Sequence, residues 1–182
     1  MLELGFIMLL GAVLALTPLV FHEMGHWVAL RRFNVPVTEY WMGLGPVLLR
    51  LGKLRVGMLP IGGAVVPHAE QYAALSAKEK LIVTLAGPFA SLLYAVVSLG
   101  VWYLERSMPG SDALWLIGTL NLLLAGLNMI PVPPLDGFQA WVQFRELQGR
   151  PLSALTLGRA YRFGNGLVYG VGFFVLGLAL WT

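Results

Sequence analysis

Four long apolar segments leave this chain few ways to fold. They run from about Leu4 to Leu30, Leu81 to Leu104, Ala113 to Ile130 and Gly166 to Trp181. Each is near the roughly 20 residues a helix needs to cross a hydrocarbon core. With 58% hydrophobic and only 12% charged residues over 182 positions, the chain is far more apolar than a soluble domain of that length. The expected fold is an all-α polytopic membrane protein, one domain over residues 1–182, with about four transmembrane helices. The first segment does not read as a secretory signal, because Glu3 rather than a basic leader precedes it and it continues into polar residues.

Charge gives the expected orientation. Arg31, Arg32, Arg50, Lys53, Arg55, Lys78, Lys80, Arg145, Arg150, Arg159 and Arg162 follow the first and third segments. The other side holds only Arg106, with Glu3, Glu105 and Asp112. The positive-inside rule puts the basic side in the cytoplasm and both termini outside. The net charge of +3 therefore reads as topology, and no nucleic-acid partner is expected. Cysteine is absent, which excludes disulfides and thiolate metal ligands.

Between the first two segments, residues 34–67 are rich in glycine and proline. Two short apolar runs, Val47–Leu51 and Leu54–Leu59, are separated by Gly52-Lys53. This pattern predicts a small β-hairpin. It is apolar enough to be membrane-associated, where irregular backbone is tolerated only if protein buries it or water reaches it.

The first segment contains the run "FHEMGH", residues 21–26. His22 and His26 are one helical turn apart on a shared face. Two imidazoles so placed can meet one metal ion, and Glu23 can reach a water on that metal without ligating it. No lysine or arginine stands three or four residues from Glu23 to pair with it. A carboxylate at this depth costs a few kcal/mol, which argues for function over packing. A catalytic zinc normally takes a third protein ligand. The candidates are His68, which reads as a surface loop residue, and Asp136 in "NMIPVPPLDG", residues 128–137. The prolines would deliver Asp136 from rigid backbone near the cytoplasmic end of the third segment. A turn or helix N-cap is the alternative for Asp136.

HEMGH at 22–26, GLGP at 43–46, LPIGG at 59–63, AGPFAS at 86–91 and NMIPVPPLDG at 128–137 occur in an order that resembles the site-2 protease family of intramembrane zinc metalloproteases. The resemblance implies one zinc per chain on His22, His26 and Asp136, with Glu23 as general base and acid. It implies that Asn128 holds substrate or stabilises the oxyanion, and that strands in Gly43–Gly63 flank the substrate path. The substrate would be a transmembrane protein cut within or near its membrane segment, in regulated intramembrane proteolysis. The setting would be the lipid bilayer of a prokaryotic plasma (inner) membrane, with the active site near the cytoplasmic side. Two features depart from the family pattern: Ser91 stands where relatives often have asparagine, and no PDZ or CBS domain is visible. Substrate selection would then rest on the membrane core, a regulatory membrane partner or a homo-oligomer. A metal transporter would show paired halves, and a non-catalytic scaffold would have lost a ligand or the base; neither pattern is seen.

Overall fold

The computed structural model describes the backbone of residues 2–181, and the side chains of all but 1–15, 44, 59–61, 168, 169, 171–176 and 178–182. Glu3 and most of the fourth apolar segment therefore lie outside the described side chains. The elements, in chain order, are α1 (Leu2–Arg32), β1 (Val37–Leu51), β2 (Leu54–Pro67), α2 (Ala69–Ala73), α3 (Ala77–Glu105), α4 (Ser111–Asn128), α5 (Asp136–Leu147) and α6 (Ala154–Trp181).

α1 stops in a Schellman turn. Asn34 adopts a left-handed φ of 56°, which asparagine tolerates better than most residues. The Val35 N–H donates to the Leu30 carbonyl at 2.9 Å and the Asn34 N–H to Arg31 at 3.1 Å, pairing carbonyls that the helix end would leave orphaned. Leu30 and Val35 are both buried, in a cluster with Ala29, Val37 and Val83. That contact fixes the angle at which the chain enters the sheet.

The predicted hairpin exists, with its turn at Gly52-Lys53 as expected, but it is much larger. β1 and β2 have 15 and 14 residues; Val37, Tyr40 and Trp41 of β1 and Val56, Val65 and Val66 of β2 are of types that favour strands. Both strands are bent. Leu54, Arg55 and Val56 pair with Leu51, Arg50 and Leu49 on one side and with Tyr40, Trp41 and Met42 on the other. Gly63, Ala64 and Val65 pair with the far side of Met42, Trp41 and Tyr40. Two strands thus make a mixed sheet of four arms, and the arm ending at Pro67 forms one edge.

α3 begins with a capping box, in which Ser76 Oγ accepts from the Glu79 N–H at 3.3 Å and the Ser76 N–H donates to Glu79 at 2.8 Å. α3 then packs against both α1 and α4. Two glycines allow that approach. A Cβ on Gly25 would overlap the Ala86 carbonyl, and one on Gly118 would overlap Leu99.

The all-α protein with about four transmembrane helices is not what the chain forms. Among the described residues it has six helices and a substantial sheet, and one helix, Ala77–Glu105, is long and apolar enough to cross a membrane. The third apolar segment falls short for physical reasons. Its helix α4 has 18 residues, within the length a span can use, but Asp112, Asn121 and Asn128 dilute its hydropathy.

Candidate metal centre

α1 carries His22, Glu23 and His26, and α5 begins at Asp136. Asp136 does not cap α5: Leu135 occupies the N-cap, and Asp136 is the first helical residue. Its place follows from the turn before it. Gly137 abuts the Met129 carbonyl so closely that a Cβ would overlap it, and this folds the proline-rich stretch back towards α1.

The three predicted ligands converge. Asp136 Oδ2 lies 3.0 Å from His22 Nε2 and 3.3 Å from His26 Nε2, and the two Nε2 atoms are 3.3 Å apart. Together they form a group able to hold a metal ion. His68 is not part of it: His68 sits exposed at the start of α2. Asp136 offers a carboxylate oxygen to the pair of imidazoles.

The donor set fits a divalent cation. His26 Nδ1 lies 2.8 Å from the Val83 carbonyl oxygen. A carbonyl only accepts, so Nδ1 carries a proton, and in the neutral ring Nε2 presents a lone pair. That lone pair faces a carboxylate, an arrangement that calls for a cation between them.

Sequence reasoning missed the contribution of α3. Val83 supplies its carbonyl to His26, and Ser91 Oγ lies 3.0 Å from His22 Nδ1. Gly87 leaves room for the His26 ring, which a Cβ there would overlap. A glycine beside a proline inside a helix suggests a kink. Pro88 does lie inside α3, but Gly87 serves the metal centre. Phe21 of α1 stacks on Tyr94 of α3 with ring centroids 3.8 Å apart, extending the same contact.

Glu23 lines the same cavity, buried, with its carboxylate against Gly63 and hydrogen-bonded to the Val65 backbone. Asn128 also borders the site, and its Nδ2 donates to the Leu124 carbonyl at 3.0 Å. That bond uses one of its two amide protons. A cavity of about 700 Å³ joins these groups, bounded by Trp41, Gly63, Val65, Tyr72 and Leu127. At its polar end the Tyr72 hydroxyl is raised by burial, partly offset by hydrogen bonds with Thr84 and Gln143.

Two imidazoles one turn apart, one carboxylate and a second acid just outside the ligand set are the donor arrangement of mononuclear zinc hydrolases. The comparisons agree: the sequence model of peptidase family M50 matches residues 9–111. The chain belongs to this family, as the resemblance to site-2 proteases implied. The matched stretch holds His22, Glu23, His26 and Ser91, and ends before Asn128 and Asp136. Rip2 of Mycolicibacterium smegmatis is 34% identical over 141 residues, 69% of this chain and 53% of that protein. A zinc metalloprotease of Methanocaldococcus jannaschii is 26% identical over 126 residues, 69% of this chain and 31% of that one. The chain thus spans about half of the first relative and under a third of the second. The solved site-2 protease from Methanocaldococcus jannaschii shares the fold, with a TM-score of 0.58 and 23% identity over 92% of this chain and 68% of that one. With this family, and with Phe89, Leu93, Val96 and Val97 exposed along α3, the chain is a membrane protein.

Proposed function

We propose that the chain is a zinc-dependent endopeptidase that hydrolyses peptide bonds within or near the membrane segments of other membrane proteins. The observation that carries this is the meeting of His22, His26 and Asp136 beside Glu23, in a family named for peptidases. The relatives named as zinc metalloproteases support zinc as the metal. His22, His26 and Asp136 would hold it.

Zinc, when bound, acts as a Lewis acid, making water acidic enough to attack near neutral pH and polarising the scissile carbonyl. Glu23 takes the proton of the attacking water and passes it to the leaving amide nitrogen. The Val65 backbone orients Glu23, and burial beside Gly63 limits its rotamers. The free amide proton of Asn128 can donate to the developing oxyanion or hold the substrate backbone. A transmembrane helix must unwind before its carbonyls can be attacked. The sheet arm ending at Pro67 borders the cavity and pairs on one side only among the described residues. Strand addition along its open edge would hold the unwound substrate extended. Lys78 and Lys80 begin α3 and Glu105 ends it. By the positive-inside rule this supports a cytoplasmic position for the α3 start and the metal centre near it.

Metal analysis of the purified protein tests the reading. The expected result is one zinc per chain. It should be lost from His22→Ala/His26→Ala and bound at least about 10-fold more weakly by Asp136→Asn. A wild-type protein without divalent metal, or a double variant with unchanged zinc, refutes it.

A further inference from the structure

The two histidines of α1 are both held from behind by α3, but by partners of different character. The Val83 carbonyl can only accept, which fixes His26. The partner of His22 is the Ser91 hydroxyl, 3.0 Å from Nδ1, and a hydroxyl can accept or donate. Ser91 is fully buried at 0% exposure, so water does not compete for this contact. Val83, Gly87 and Ser91 recur at four-residue spacing, one stripe along the α3 face that meets the histidines.

We propose that Ser91 is a positioning residue of the metal centre. It accepts the Nδ1–H of His22, so that Nε2 presents its lone pair towards Asp136 and His26, and in this way it sets metal affinity. The proposal rests on the metal-centre reading above. The opposite polarity would put a proton on His22 Nε2, 3.0 Å from Asp136 Oδ2 and 3.3 Å from His26 Nε2, and that proton would have to leave before a metal could bind. The serine proton has another outlet, because a helical serine can donate to a carbonyl one turn back. His22 is thus held as His26 is, but through a side chain that mutation can remove. The serine that looked like a departure from the family's asparagine keeps an acceptor within reach of the ring.

The test compares zinc affinity of metal-stripped protein in detergent, by competition with a chromogenic chelator, across wild type, Ser91→Ala, Ser98→Ala and His22→Ala. Ser98 is also buried on α3, seven residues further on, and controls for loss of a buried helix hydroxyl. Ser91→Ala should bind zinc about 10- to 100-fold more weakly, and Ser98→Ala should match wild type. If Ser91→Ala binds as wild type does while His22→Ala fails, the role of Ser91 is overturned and the metal centre stands. If His22→Ala binds normally, the metal centre itself is wrong. Imidazole 15N and Nδ1–H spectra of the zinc-loaded protein give a second readout, and the chain has only three histidines. The His22 Nδ1–H signal should shift in Ser91→Ala while that of His26 holds; an unshifted His22 signal overturns the proposal.

Discussion

Replacing Glu23 with glutamine removes one basic oxygen and leaves nearly everything else about the side chain in place. The residue is 9% exposed and rests against Gly63, so a side chain of equal size is needed to avoid a void or a clash. The hydrogen bond to the Val65 backbone can pass to the amide oxygen of glutamine. Glu23 takes part in none of the ion pairs among the described residues, so no buried partner is left unpaired. Nor does it belong to the group His22, His26 and Asp136, so zinc should stay bound. What disappears is proton transfer. General acid–base catalysis is worth about 10²- to 10⁴-fold in rate, and here one carboxylate would serve both the attacking water and the leaving nitrogen. The expected loss is at least about 10²-fold, or about 2.7 kcal/mol of barrier. Single-turnover cleavage of a transmembrane substrate in liposomes measures it, with zinc quantified in the same preparation. A zinc-loaded Glu23→Gln protein that cleaves at the wild-type rate refutes the assignment of Glu23, whatever the metal does.

Two further predictions concern α3. Gly87→Ala places a methyl group where the His26 ring lies, so zinc should be lost and stability lowered by about 1–3 kcal/mol. Gly100→Ala, with open space around it, should leave both unchanged, and normal zinc in Gly87→Ala would show that the ring can move aside. Orientation can be read by cysteine labelling, since the chain has no native cysteine. Asp112→Cys should react with an impermeant reagent in intact cells and Lys78→Cys only after permeabilisation; the reverse pattern inverts the membrane orientation.

The parts of the site that could be read from sequence are those where residue type and local spacing carry the chemistry. His22, Glu23 and His26 lie within one turn, and Asp136 is announced by prolines and Gly137. The turn of the hairpin was legible for the same reason, because Gly52 and Lys53 separate two apolar runs. The reach of the strands was not. Residues 54–56 lie between 49–51 and 40–42 because each strand bends back on itself, and that depends on long-range pairing that no local pattern records. Among the described residues hydropathy misjudged the third segment, which was read from Ala113 to Ile130 while its helix runs from Ser111 to Asn128 and so takes in Asp112.

The contribution of α3 was hidden for a different reason. A carbonyl such as that of Val83 belongs to every residue type, so its use by His26 leaves no trace in the sequence. Gly87 looked like part of a kink because glycine beside proline suggests one, while the ring it accommodates is 61 positions away. Ser91 looked like a departure because its partner is known only once α1 is docked. One signal was present all the same. The glycine inside HEMGH is the residue that lets α1 approach the Ala86 carbonyl, and AGPFAS begins at that same alanine. Two motifs with small residues at their point of contact are one packing interface written in two places. Mutational sensitivity of metal binding should therefore extend along α3 from Val83 to Ser91, and not stay confined to the ligands themselves. A ligand holds a metal only as firmly as its ring is held, and here α3 holds both rings.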